Sequence, residues 1–261
     1  MQRKVAITGS ASGIGKAASK LAEALGWQVL RVDLREGDIL ADLASVSGRR
    51  FIAEETAKLS GGKLDAVIAC AGVAPAPAYP AASPELVVRV NYFGAVATLE
   101  GLRPLLANGN DPRGVVVSSI ASIDKRVSAG LVEACLADDE PLAVRLSEAA
   151  GASAYSCSKA AVARWVRRKC LTPEWLGAGI LLNAIAPAHV DTPMIRPLMQ
   201  NPEIMIAMQK ELPSPLGRPA RANEVAELLL WLVSSANRIV AGQVIFADGG
   251  AEVALRGDNR W

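Results

Sequence analysis

Strand-like apolar runs alternate with helix-like runs along the 261 residues, and this predicts an α/β fold. The expected form is a doubly wound, mostly parallel sheet of about seven strands with helices on both faces. Two further observations support it. Residues 5–15, Val-Ala-Ile-Thr-Gly-Ser-Ala-Ser-Gly-Ile-Gly, read as a buried strand running into a glycine turn that opens a helix. In addition, no internal repeat or low-complexity linker divides the chain, so residues 1–261 are expected to form one domain.

Composition narrows the class. Hydrophobic residues make up 51% and charged residues 21%, which is inconsistent with disorder over the whole chain. The longest apolar runs, such as 226–233, are far too short to span a bilayer. The start passes into the first strand without an apolar leader, so the expected location is the cytoplasm. Cys70, Cys135, Cys157 and Cys170 form no Cys-x-x-Cys pair and have one histidine between them, so we expect reduced thiols and no metal. A net charge of +2 gives no overall pull toward nucleic acid or an anionic membrane. The densest basic run, 164–169, falls on a predicted helix and reads as a solvated face.

In chain order, the first helix is expected from about Ile14. Residues 28–33 form a strand ending in Asp33, and residues 39–41 are either a very short third strand or a loop. The connection 34–38 is too short for a helical crossover between parallel neighbours. Residues 45–59 look helical, and 64–70 form a strand ending in Ala71-Gly72. Pro75, Pro77, Pro80 and Pro84 break the chain into a loop before a helix over 84–107. A strand at 115–119 is followed by a long segment with acids at 138–140 and a short helix near 143–150. A helix over 155–171, a strand at 180–185, a helix at 223–234 and a strand at 243–246 complete the pattern.

Several residues suggest chemistry. Gly9, Gly13 and Gly15 leave a turn where a pyrophosphate could approach the backbone and meet the positive end of the helix. The spacing, Gly-x3-Gly-x-Gly, also suits a turn that merely joins a strand to a helix. Asp33, about twenty residues past these glycines, stands where a carboxylate accepts ribose hydroxyls and repels a 2′-phosphate, favouring NAD over NADP. Its plain alternative is a strand-end turn aspartate, and Arg31 and Arg35 could soften the repulsion. Asp42 is placed to meet an adenine amino group. Tyr155 and Lys159, four residues apart, share one helix face. Moving a tyrosine pKa from about 10 to about 7 requires roughly 4 kcal/mol. A cation about 4 Å away at an effective dielectric near 20 supplies about that much.

Together Thr8-Gly9-x3-Gly13-Ile14-Gly15, Asp33, Ala71-Gly72, Asn91, Ser119 and Tyr155-x3-Lys159 resemble the short-chain dehydrogenase/reductase family. Residues 187–193 resemble its Pro-Gly-x-x-x-Thr-Pro segment, with Ala188 in place of the glycine. Within the family the chain is most similar to the bacterial 3α-hydroxysteroid dehydrogenase/carbonyl reductase group. The resemblance implies a Rossmann-type fold and NAD as cofactor. It implies Tyr155 as general acid/base, Ser119 holding the substrate oxygen, Lys159 on the nicotinamide ribose and Asn91 maintaining a water-linked proton path. Thr192 would hold the carboxamide, and Ser12, Leu34, Leu43, Pro187 and Val190 would complete the cofactor's surroundings. Ser118 and Ser122 are weaker contenders for the serine role. Cys70 and Ala69 depart from the family's paired asparagines. His189 is read as a loop histidine bonded to backbone.

The implied reaction interconverts a secondary alcohol and a ketone. Met194, Ile195, Leu198, Met199, Met205 and Met208 could line an apolar lid or be ordinary helix core. With the lid reading, the expected partner is a bulky hydrophobic alcohol or ketone such as a hydroxysteroid, with a cyclic terpenoid or aryl compound as the alternative. A non-catalytic dinucleotide sensor is the alternative of a different class, and it would have no use for Tyr155. The separation of Ser119 from Tyr155 is longer than the family usually has, which makes residues 123–151 an inserted segment. Leu131, Leu136, Leu142, Val144 and Leu146 would pack it, with the acids at 138–140 facing water. The segment is expected to cover the family's usual pairing helices and leave a homodimer built through another face, including the tail 252–261. A tetramer is the alternative.

Overall fold

The computed structural model describes residues 2–74, 82–201, 203, 206 and 212–258. The chain runs through β1 (Lys4–Thr8), α1 (Gly13–Ala24), β2 (Gln28–Asp33), β3 (Ile39–Leu40), α2 (Val46–Ser60) and β4 (Ala66–Ala69). A helical run follows, made of α3 (Pro84–Val88), a π-helical segment (Arg89–Gly94) and α4 (Ala95–Ala107). After β5 (Arg113–Val117) come α5 (Ala129–Leu136), α6 (Glu140–Ala150) and α7 (Ala154–Lys169). The remainder is β6 (Leu181–Pro187), β7 (Val190–Asp191), α8 (Arg196–Met199), β8 (Ala220–Arg221), α9 (Ala222–Leu232), β9 (Val244–Ala247) and α10 (Ala251–Arg256).

Seven strands form one parallel sheet in the order β3-β2-β1-β4-β5-β6-β9, the Rossmann-type arrangement expected from the sequence. The order reverses between β1 and β4, so the loops after their C-terminal ends splay apart and leave a crevice. Alternate side chains feed two cores. Ala6, Val67, Val116 and Ala184 pack on the side of α4, α5 and α7, while Val5, Ile7, Ile68, Val115 and Ile185 face α1 and α9. Burial on both faces explains why these strands read as continuous apolar runs.

Several boundaries differ from the sequence expectation. Residues 39–40 are a true strand, parallel to β2, although only residues 34–38 join them. Two residues of β3 need no long crossover: Asp38 N–H donates to the Arg31 carbonyl at 2.8 Å, and the Asp38 carboxylate accepts the Arg31 N–H at 2.8 Å, folding the loop against β2. The expected strand at 115–119 ends at Val117, and Ser119 instead caps a 3₁₀ turn, accepting Ala121 N–H at 3.2 Å. The helix over 84–107 is not uniformly α: it loosens into the π segment that carries Asn91. Residues 123–151, expected to be an inserted segment, form two helices where the sequence suggested one, capped by Ser128 and Asp139. Leu131, Val132 and Cys135 are buried in the main core, with α5 on α7 and α6 on α3. Of the three acids, Asp138 and Asp139 face water, but Glu140 does not: its side chain is 17% exposed and bonded to Arg49 and Arg89. Pro75, Pro77, Pro80, Met205 and Met208 lie outside the described residues.

Candidate active site

The crevice holds two cavities that share Gly9, Ser12, Ala71, Gly72 and Pro193 in their walls. At their junction lies the turn after β1. Gly9 has φ +71°, and a Cβ there would stand 2.9 Å from Ala71 N, so no larger residue fits between the ends of β1 and β4. At Gly15 a Cβ would collide with the Gly9 carbonyl oxygen, which is why α1 can start so close to the turn. The Thr8 hydroxyl accepts Cys70 N–H and Ala71 N–H, each at 3.1 Å, and ties the two strand ends together. Ser12, the residue before α1, makes no side-chain bond to the first turn of the helix. A phosphate therefore fits there: the backbone is bare and the helix end favours negative charge.

One cavity, of about 410 Å³, runs along the ends of β2 and β3 and is lined by Asp33, Leu34, Asp42 and Leu43 among others. The Asp33 carboxylate is held by two backbone donors, Ala11 N–H and Arg35 N–H, both at 3.1 Å. Asp42 caps its own loop by accepting Ala44 N–H at 2.8 Å. Arg31 is paired with Asp38 (Nη2 to Oδ1, 3.2 Å), so it does not serve Asp33, whereas Arg35 lines the same cavity. Ala11, Val73, Leu86 and Val90 also contribute to this wall and were not singled out by the sequence, because single apolar residues in loops and helices carry no distinguishing pattern.

The other cavity, about 150 Å³, is lined by Ser119, Tyr155, Lys159, Pro187, Val190 and Thr192, with Ser118, Met194 and Ile195. Ser119 and Tyr155 line this cavity together. Lys159 is 4% exposed, donates to the Val117 carbonyl at 2.9 Å, and lies 5.8 Å from the centre of the Tyr155 ring. Burial raises the Tyr155 phenol above its usual value, and the Ser119 side chain only partly opposes this. Burial also pushes the Lys159 ammonium down to about 8. Desolvation sets the direction for the phenol here, while the ammonium donates to the Val117 carbonyl; the expected lowering calls for the lysine helped by the nicotinamide's own positive charge.

The competing serines separate cleanly. Ser118 donates to the Lys159 carbonyl at 2.8 Å and so fixes α7 to β5, while Ser122 lines a different cleft beside Phe246. Asn91 lies behind the cavity walls, 1% exposed, bonding both backbone groups of Val73: it accepts from N–H at 2.8 Å and donates to C=O at 2.9 Å. A Cβ on Gly72 would stand 3.2 Å from Asn91 Oδ1 and 3.5 Å from Lys159 Nζ, so these groups converge beneath Gly72. Cys70 lines the cavity as an inert thiol, pushed up to about 12 by burial. His189 faces another small cavity beside Asp248, and burial lowers its pKa.

Comparison with known proteins places this geometry. The short chain dehydrogenase family model matches residues 3–131, and the model described as enoyl-(acyl carrier protein) reductase matches residues 143–252. The chain is 36% identical to the 3-alpha-hydroxysteroid dehydrogenase/carbonyl reductase of Comamonas testosteroni, covering 97% of each. The chain belongs to the short-chain dehydrogenase/reductase family. It is therefore an oxidoreductase of a family that binds a nicotinamide dinucleotide. It is also 30% identical to cis-4-hydroxycyclohexanecarboxylate dehydrogenase of Sinomonas cyclohexanicum, with 95% of this chain and 96% of that one covered. The crystal structure of 3-alpha-hydroxysteroid dehydrogenase from Pseudomonas sp. B-0831 complexed with NADH superposes with a TM-score of 0.91 at 37% identity, covering 98% of this chain and all of that one.

Proposed function

We propose that this cytoplasmic enzyme uses NAD to interconvert a secondary alcohol and a ketone on a bulky, hydrophobic, cyclic substrate such as a hydroxysteroid. The observation that carries the reading is the convergence of Ser119, Tyr155 and Lys159 in a cavity continuous with the glycine turn. The whole chain would act as one catalytic domain, with 123–151 inserted. The phosphates would rest on Gly9, Ser12, Gly13, Ile14 and Gly15, and the adenosine between Asp33, Leu34, Asp42, Leu43, Ala71 and Gly72. Pro187, Val190 and Thr192 would hold the nicotinamide end. When bound, the nicotinamide carries the hydride.

Within that frame, Ser119 donates to the substrate oxygen and Tyr155 gives or takes the hydroxyl proton. Lys159, which donates to the Val117 carbonyl, would hold the ribose hydroxyls when the cofactor is bound. There the Lys159 ammonium, together with the positive charge that an oxidised nicotinamide would supply, would offset the desolvation that raises the phenol. Asn91, beside Lys159, leads the proton outward through water. Asp33 supports NAD over NADP because backbone donors hold its carboxylate in the cavity. The apolar Met194 and Ile195, and relatives named for cyclic secondary alcohols, support the substrate class.

Screening NADH oxidation against ketones tests the reading: 3-oxosteroids, cyclic terpenoid ketones and aryl ketones should be consumed ahead of short linear ones. Tight NADH binding without turnover of any ketone would favour a sensor instead.

A further inference from the structure

One half-buried carboxylate of the inserted segment reaches the wall of the Asp33 cavity through two arginines. Glu140, at the start of α6, holds the Arg49 guanidinium in a two-pronged pair, Nη1 to Oε2 at 2.7 Å and Nη2 to Oε1 at 3.0 Å. Arg89 Nη1 adds a second cation at 2.6 Å. Arg49, in the first turn of α2, has a side chain only 9% exposed. Its remaining donors go to main-chain carbonyls: Nε to Leu43 at 2.7 Å, and Nη2 to Ala44 and Arg89, each at 3.2 Å.

Those carbonyls belong to two different walls. Leu43 and Ala44 follow β3, where Asp42 and Leu43 line the cavity, and Arg89 opens the π segment that carries Asn91. The walls meet at Gly94, where a Cβ would stand 2.9 Å from Leu43 Cβ. The guanidinium also lies 5.7 Å from the centre of the Phe93 ring, on that same segment. Three carbonyls can orient a buried guanidinium but cannot neutralise it; Glu140 supplies the missing charge. Burial would raise the Glu140 carboxyl, but the Arg49 hydrogen bond and the charges of Arg49 and Arg89 outweigh it and hold it below the usual range.

We propose that Glu140 is a positioning residue for the dinucleotide, acting through Arg49 to lock the Asp42–Leu43 wall to the π segment. This rests on reading that cavity as the adenosine side. Without the carboxylate, Arg49 is an unpaired buried cation that must turn toward water, and it releases Leu43 and Ala44 as it does so. The inserted segment thereby serves cofactor binding from outside the cavity, touching no atom of the ligand.

Calorimetric titration of the full chain with 5′-AMP and with NADH tests this in wild type, Glu140→Gln, Arg49→Met and the double variant. Glu140→Gln should weaken AMP binding about fivefold while kcat at saturating NADH stays within about twofold. The double variant should match Arg49→Met alone, since Glu140 acts through that residue. A Glu140→Gln variant that melts at a lower temperature but binds AMP as the wild type does would overturn the proposal, as would losses that multiply in the double variant. A wild type that binds NADH but not AMP would instead overturn the adenosine reading, and the proposal with it. If Glu140→Gln does not fold, Glu140→Asp, which draws the charge back by one methylene, carries the same comparison with the same two outcomes.

Discussion

The Asp33 carboxylate cannot swing away from a ligand without giving up two backbone bonds, to Ala11 and Arg35. A 2′-phosphate placed there would face a fixed negative charge, at a cost on the order of several kcal/mol. Asp33→Ala should therefore raise kcat/KM with NADPH relative to NADH, and a wild type that already prefers NADPH would contradict the reading. Lys159 gives a second expectation. In the free protein burial pushes its ammonium down to about 8, against about 10.4 in the unfolded chain. Between those values the unfolded state binds more protons, so this group's contribution to stability rises with pH. Relative to wild type, Lys159→Met should be more stable at pH 7.5 than at pH 10, the gap closing by on the order of 2 kcal/mol. Unfolding free energies at both pH values check this; a constant gap would show that the ammonium carries no such cost. Spacing put Tyr155 and Lys159 on one helix face, and the family resemblance singled the pair out. It could not show that Lys159 donates to Val117, since that bond depends on where β5 ends.

Elements were legible where their period was long. Ser45 and the run behind it marked α2 to within a residue, and the valines of β5 marked a strand covered on both faces. Two-residue strands such as β3, β7 and β8 are too short to show a period, and β7 with β8 was not anticipated at all. The π segment was hidden because a single-residue widening of a helix leaves the apolar spacing almost intact. The helices within 123–151 were half seen: α6 from its leucines, α5 only as apolar surface. Their placement on α7 and α3 bears on assembly. We expect the insert to deny α7 to a second copy, leaving a dimer through another face. Light scattering should give a dimer for the intact chain and a larger species when residues 123–151 are replaced by a short turn. An intact tetramer paired through α7 would refute this.

At the scale of the molecule, a parallel sheet delivers the ends of β1 to β6 to one edge, and most of the candidate residues follow those ends, with Tyr155 and Lys159 on α7 and Asn91 on the π segment beside them. Alternating apolar runs were enough to predict that arrangement, and the glycine turn marked which edge carries the crevice. The sequence could not reveal the brace behind it, because Glu140, Arg49 and Arg89 are far apart in the chain and look like ordinary helix charges. The central claim is that this edge moves hydride between a dinucleotide and a carbonyl carbon, with Tyr155 handling the proton. Its most direct measurement follows deuterium from the 4-position of NADH into a cyclic ketone by mass spectrometry. Wild type should place one deuterium on the carbinol carbon, and Tyr155→Phe should bind NADH as tightly while forming that product at least about 10²-fold more slowly. An unlabelled product, or undiminished turnover in Tyr155→Phe, would contradict the account.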